Sequence, residues 1–211
     1  MSAVRCVGAL MAGGAARRFH GAPKGLAVVD GLRIADRALS ALRQASDRQI
    51  VVANDSQAPN WFPGLRVVPD FEPDLGPLAG LRTALLAADG DALLVVAWDM
   101  PFVTSALLAT LRRMGEGGAS AVVPVSGRRL LPQPLCAYYS AGALHACERL
   151  LARGERRAAA LFEALPDAAT LRGHELEALG DPTHLLRSVN TPEELAALGG
   201  RLPDAPDDAR R

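Results

Sequence analysis

The chain carries one lysine against twenty-two arginines, three cysteines, few aromatic residues (4%), and no net charge, with 23 Lys+Arg facing 23 Asp+Glu. Each shortage excludes something. Balanced charge gives no electrostatic footing on nucleic acid or on an anionic membrane, so any anionic ligand must be held by charge placed locally. Cys6, Cys136 and Cys147 are odd in number and form no CxxC pair or Cys/His cluster with zinc spacing. That argues against a disulfide framework or a structural zinc site, and for reduced, buried thiols in the cytoplasm. No basic stretch leads into an apolar run with a cleavage site, so no signal peptide is expected. No apolar run reaches the roughly 20 residues of a membrane-spanning helix. What remains is a core of Ala, Leu and Val, 49% hydrophobic overall, in a chain of 211 residues that can bury it well.

Short apolar runs alternate with longer helical patterns. Residues 4–11, 49–53, 65–68 and 93–97 read as buried strands, and 34–44, 78–88 and 105–113 as helices. This alternation predicts an α/β fold in three layers, with a mostly parallel sheet and helices on both faces. The second half is less regular, with strands expected at 119–125, 135–139 and 185–189 and helices at 143–153 and 158–165. Thr104 suits an N-cap. Thr191-Pro192-Glu193-Glu194 opens a last helix, with Thr191 as cap, Pro192 in the first turn and Glu194 closing a capping box. No linker is visible. Residues 1–198 are expected to form a single domain, and 199–211, rich in Gly, Pro, Asp and Arg, a disordered tail.

The lone lysine, Lys24, closes a glycine-rich loop that starts at Leu10-Met11-Ala12-Gly13-Gly14 and ends at Pro23-Lys24-Gly25. Glycines let backbone N–H groups approach phosphate oxygens closely. Lysine supplies a compact point charge where an arginine fork needs more room. The spacing is neither that of Walker A nor that of the dinucleotide fingerprint. In open parallel sheets, ligands gather at the carboxyl ends of the strands. Here those ends carry Asn54, Asp70 and Asp99 besides the loop. Asn54 with Asp55-Ser56 also reads as an ordinary turn, and Asp70 as a local cap. Asp99 directly follows an apolar strand, where a carboxylate needs a counter-charge or a cation, and magnesium with phosphate oxygens is a natural partner.

Taken together these segments resemble the nucleotidyltransferases of the molybdenum cofactor type, whose first loop usually reads LAGG, then RMG, then DK. Met11-Ala12-Gly13-Gly14, Arg18, Gly21 and Lys24-Gly25 carry that match. Gly76-Pro77-Leu78-Ala79-Gly80 matches the second motif of the guanylyltransferase branch, Asp99-Met100-Pro101 its DxP metal motif, and Ser188 through Leu195 its NTPEEL segment. The resemblance runs in order over about residues 4–198. It implies a Rossmann-like nucleotidyltransferase sheet and transfer of GMP from GTP to the terminal phosphate of a molybdopterin-type cofactor, with release of pyrophosphate. It also implies that Met11, Ala12, Gly13, Lys24, Asn54 and Asp70 contact GTP and that Asp99 holds Mg2+. Arg18 and Lys24 would supply positive charge. Gly14 with Gly76 to Gly80 would favour GTP over CTP, while Gln133-Pro134-Leu135 and Asn190 would face the pterin, Asn190 reading equally as a neighbour of the helix cap. A transferase using CTP or another acceptor, and a binding protein with impaired chemistry, stay open as alternatives. Three departures bear on the chemistry: Phe19-His20 stand where the family has Met-Gly, and Pro23 where it has Asp before the lysine. Arg153-Gly154-Glu155-Arg156-Arg157 would meet an anionic cofactor, or transiently a cofactor-delivering protein or molybdoenzyme, unless it is a plain solvated face.

Overall fold

β1 (Cys6–Met11) runs into the glycine loop, and a 3-10 turn (Lys24–Leu26) with a small ribbon, β2 (Val28–Val29) and β3 (Leu32–Arg33), leads out of it. A computed structural model describes residues 5–13, 19, 23–72, 75–127 and 131–203. Alternating helices and strands follow: α1 (Ile34–Ala45), β4 (Arg48–Val52), α2 (Ala58–Trp61), β5 (Arg66–Val68), α3 (Pro77–Ala88), β6 (Ala92–Ala97) and α4 (Ser105–Glu116). Beyond them lie β7 (Ala121–Ser126), β8 (Leu131–Pro132), β9 (Cys136–Tyr139), α5 (Ala143–Ala152), α6 (Ala158–Ala164), β10 (Ala169–Leu171), α7 (His174–Glu177), α8 (Pro182–Leu185) and α9 (Pro192–Ala196).

The main sheet has the order β10-β7-β9-β6-β1-β4-β5, with β8 paired to β7. β9 runs against both β6 and β7, while β6, β1, β4 and β5 are mutually parallel. The expected three layers are present. Cys6 and Leu10 of β1 pack with α1 and α4, whereas Val7, Ala9 and Met11 pack with α3, α5 and α6. Burial on both faces is why these strands read as unbroken apolar runs. A smaller third cluster gathers Phe19, Ala27, Val29, Ile34, Val189 and Leu195. Phe19, one of the departures from the family pattern, is 2% exposed there.

Two expectations are corrected, and one element is added. Residues 185–189 form no strand: Asp181 caps α8 by accepting from the Thr183 N–H at 2.9 Å, and Pro182 opens it. That cap-and-proline pair outweighs the apolar pattern. A strand that the pattern did not announce, β10, extends the sheet beside β7. The expected tail starts too early, because Arg201 exchanges backbone hydrogen bonds with Val28 (2.8 and 2.9 Å) and Leu202 packs on the third cluster. Residues 204–211 lie outside the described residues.

The three thiols are buried and unpaired with one another. Burial pushes each of them up to about 12 from the ordinary 9.0. They are therefore expected to stay silent to a thiol-titrating reagent in the native protein and to react, all three, in denaturant. A thiol raised in the folded state stabilises it below the unfolded value and loses that contribution as pH climbs toward the folded one. Thermal stability should accordingly fall between about pH 9 and pH 12, and less steeply in Cys→Ala variants.

Candidate active site

The centre of the site is the end of β1, and the groups around it fall on two sides. On the β6 side, Trp98 and Asp99 follow the strand directly. The Trp98 N–H donates to the Met11 carbonyl at 3.2 Å, which keeps the two strand ends in step. Asp99 is 8% exposed, and its carboxylate accepts a hydrogen bond from the Lys24 ammonium in an ion pair. Lys24 is brought there by the 3-10 turn, where the Pro23 carbonyl accepts from the Leu26 N–H at 2.9 Å. Pro23 is the N-cap of this turn and contributes its carbonyl, and the carboxylate paired with Lys24 is that of Asp99. Gly25 presses on the Trp98 indole: a Cβ there would lie 2.4 Å from Trp98 Cδ2 and Cε3. Among the described residues the buried Trp98 Nε1 has no hydrogen-bond partner.

The C-terminal segment completes this side. Val189 donates its N–H to the Asp99 carbonyl at 2.8 Å, which sets Asn190 beside the pair. Asn190 Oδ1 accepts from Lys24 Nζ at 3.3 Å, and its Nδ2 donates to Ser188 Oγ at 2.8 Å. The capping box closes one residue early. Thr191 Oγ1 accepts from the Glu194 N–H at 3.2 Å as expected, but Glu194 Oε2 accepts from the N–H of Asn190, at 2.6 Å, instead of that of Thr191. The helix cap therefore also holds the residue that touches Lys24. Because β9 is antiparallel, its entry turn Gln133-Pro134-Leu135 reaches the same edge, and the Leu135 carbonyl accepts from the Ala97 N–H at 2.7 Å.

On the β4–β5 side, Asn54 and Asp70 meet. Asn54 Oδ1 accepts from the Asp70 N–H at 2.7 Å. Asp70 Oδ1 accepts from Thr83 Oγ1 at 2.8 Å and from the Glu72 N–H at 3.3 Å. Thr83 lies inside α3, three residues past Gly80, and nothing in the sequence pattern singled it out. At Gly80 a Cβ would stand 2.9 Å from Met11 Cε and 3.8 Å from Asp70 Oδ2. The missing Cβ lets the Met11 methyl, at the first strand's end, pack against α3 beside this carboxylate.

Residues 8–169 match the MobA-like NTP transferase domain. This chain belongs to the MobA-like NTP transferase family. A Deinococcus radiodurans protein named as a probable molybdenum cofactor guanylyltransferase is 36% identical over 193 residues, 92% of this chain and 93% of that protein. A molybdenum cofactor guanylyltransferase of Ralstonia nicotianae is 32% identical over 203 residues, 92% of this chain and 96% of its own length. The solved structure of molybdopterin-guanine dinucleotide biosynthesis protein A from Archaeoglobus fulgidus superposes with a TM-score of 0.74 at 23% identity, covering 91% of this chain and 96% of that one. At that identity the likeness speaks for the fold.

Within this MobA-like frame, the sequence-predicted residues separate into groups. Lys24, Asp99 and Asn190 are brought together, and Asn54 with Asp70 form the second group, with Met11, Ala12 and Gly13 between them. Gly14, Arg18 and His20 lie outside the described residues. The Gly76-Pro77-Leu78-Ala79-Gly80 motif divides. Leu78 and Ala79 are core residues, and the Leu78 and Ala79 N–H groups already donate to the Arg156 and Gly76 carbonyls at 3.1 Å each. Gly76 and Pro77 start α3 and are exposed. The motif reaches the site through Gly80, whose missing Cβ leaves room for the Met11 methyl next to Asp70. The Arg153–Arg157 stretch is solvated: Arg157 pairs with Glu155 at 2.8 Å, and that hydrogen-bonded guanidinium holds the Glu155 carboxyl down at about 2. Among the described residues no group of three or more His, Cys, Asp or Glu is placed to hold a metal by itself, and no helix is long and apolar enough to cross a membrane.

Proposed function

We propose that the protein is a molybdenum cofactor guanylyltransferase, moving GMP from GTP to the terminal phosphate of a molybdopterin-type cofactor with release of pyrophosphate. The observation that carries this reading is the buried Lys24–Asp99 pair beside the glycine loop, with an acceptor-only carboxylate, Asp70, on the far side of β1. Asp70 and Asp99 follow strands three places apart in the sheet, about 14 Å at the usual strand spacing. That span suits a nucleotide laid across the strand ends, phosphates toward Lys24 and base toward Asp70. A carboxylate at the base end repels phosphate and accepts from the N–H groups of guanine. The names carried by the relatives support the same activity.

Nucleotidyl transfer requires positioning and neutralisation more than acid–base chemistry. A phosphate oxygen of the acceptor attacks the α-phosphorus of GTP, the bond to the bridging oxygen breaks, and pyrophosphate leaves with the electron pair. Lys24 compensates charge on the phosphates, and the Gly13 N–H would donate to their oxygens, since the Ala12 N–H already donates to the Val52 carbonyl at 2.8 Å and Met11 is paired within the sheet. The acceptor brings its own anionic nucleophile, so a strong general base is not needed. Asp99 offers one carboxylate, which is the protein's share of a Mg2+ site when phosphates and waters provide the other ligands. The absence of a three-residue cluster among the described residues fits that division. When bound there, Mg2+ would neutralise phosphate charge. Asn190 and the Gln133-Pro134-Leu135 turn border the place left for the pterin. One domain, residues 1–198, carries the reaction in this reading. It runs in the cytoplasm, with cofactor-delivering proteins or molybdoenzymes as transient contacts.

The test is pyrophosphate release by the purified protein with Mg2+, molybdopterin-loaded acceptor, and GTP or CTP. Release with GTP and little with CTP is expected. Release with CTP alone removes the guanine assignment, and nucleotide binding without turnover removes the enzyme.

A further inference from the structure

Aside from cysteines and aromatic residues, the buried polar side chains among the described residues are two, Asp99 at 8% exposure and Thr83 at 1%. Asp99 belongs to the phosphate side. Thr83 has no counterpart in the reading above. A helical threonine ordinarily turns its hydroxyl back onto the carbonyl one turn earlier. Thr83 instead reaches out of α3: its Oγ1 donates to Asp70 Oδ1 at 2.8 Å and accepts from the Phe71 N–H at 3.4 Å. With the Glu72 N–H also on it, Oδ1 already accepts two hydrogen bonds. Oδ2 accepts none from the described residues and lies near Gly80 and the Met11 methyl, 3.8 Å from where a Gly80 Cβ would stand. Asn54 holds the same residue by its backbone N–H. The aspartate is thus fixed at both ends, with one oxygen committed to the protein and the other turned to the strand end.

We infer that Thr83 is a positioning residue for base selection, locking Asp70 so that Oδ2 meets the N–H donors of guanine. This rests on the guanylyltransferase reading. The hydroxyl touches no substrate; it acts through the carboxylate. Without it Asp70 can turn, and Oδ1 must find another donor or water. The phosphate side, on other strands, is left as it was. The loss therefore falls on nucleotide binding and on discrimination between bases, and turnover of bound substrate is spared.

The experiment measures kcat and KM for GTP and for ITP, which lacks the exocyclic amine, in the wild type, Thr83→Val and Thr83→Ser. Valine keeps the buried volume and removes the hydroxyl; serine keeps the hydroxyl. Thr83→Val is expected to raise KM for GTP about tenfold, the scale of one hydrogen bond to a charged group. Its kcat should stay within about twofold, the GTP preference over ITP should shrink, and Thr83→Ser should restore most of it. In an Asp70→Asn background the Thr83→Val change should add little, which covers the case in which the single variant loses stability. An unchanged KM in Thr83→Val overturns the inference, as does an equal loss with both nucleotides or a fall in kcat that matches the rise in KM. A wild-type preference for CTP overturns the functional reading together with this inference. A wild-type preference for GTP that Thr83→Val leaves intact overturns this inference alone.

Discussion

Replacing Lys24 by methionine or Asp99 by asparagine is expected to lower turnover by on the order of 10²–10³-fold, the usual loss when a preorganised charge-stabilising group is removed from a phosphoryl or acyl transfer site. Stability should respond differently from activity. Each residue is the other's counter-charge in a place where both side chains are largely buried, at 16% and 11% exposure. Removing one partner leaves a charge short of its complement and should cost about 1–3 kcal/mol. Removing both, in Lys24→Met/Asp99→Asn, takes away the penalty along with the pair. The double variant is therefore expected to melt closer to the wild type than either single variant, while its turnover stays as low as the worse of the two. Thermal unfolding and pyrophosphate release, measured on the four proteins, read the two effects apart. Additive losses in stability would mean that the pair does not act as a unit. Lys24→Arg should fail as well. In a chain that uses arginine everywhere else, the single ammonium stands against Asp99, next to a glycine pressed on an indole, and a planar fork needs more room than that.

Gly25→Ala is the second large effect. The added methyl would lie 2.4 Å from two atoms of the Trp98 ring and 2.7 Å from a third. The indole has little freedom to yield, being buried and stacked near Trp61 with ring centroids 6.2 Å apart. Overpacking of this kind costs about 1–3 kcal/mol. The relief available is a shift of the turn, and the turn carries Lys24. A displacement of about 1 Å in a positioning group can cost about a hundredfold in rate. Gly25→Ala is accordingly expected to lose activity well beyond its loss in melting temperature. Trp98→Leu in the same chain removes the two nearest ring atoms and should return part of the activity. An alanine variant with wild-type turnover would show that the loop and the indole are not in register as described.

Much of this arrangement was legible because it is local or periodic. The apolar runs at β1, β4 and β6 announce strands covered on both faces, Thr104 caps α4 by accepting from the Leu107 N–H at 3.2 Å, and the polar residues at the strand ends mark one edge. What stayed hidden is long-range. Nothing in Cys136–Tyr139 states that β9 runs antiparallel, since pairing direction is decided by the elements on either side. Thr83 looks like a helix-interior residue, because its partner is thirteen positions away in a loop. Phe19 reads as a departure in a catalytic loop until its ring is placed in a cluster built partly from the C-terminal segment. Asn190 reads as a helix-cap neighbour or a pterin contact, and only the fold adds its bond to Lys24.

That bond joins residues 166 positions apart, and the Val28–Arg201 bridge ties the same two regions again. A ribosome adding about 5–20 residues per second needs roughly ten to thirty seconds to make the chain between them. During that interval the sheet's parallel core can already form, with Lys24 and Asp99 both present but their C-terminal support still unmade. The emerging protein therefore passes through a stage in which the nucleotide cradle is unfinished, and competence for transfer arrives as one of the last events of its synthesis.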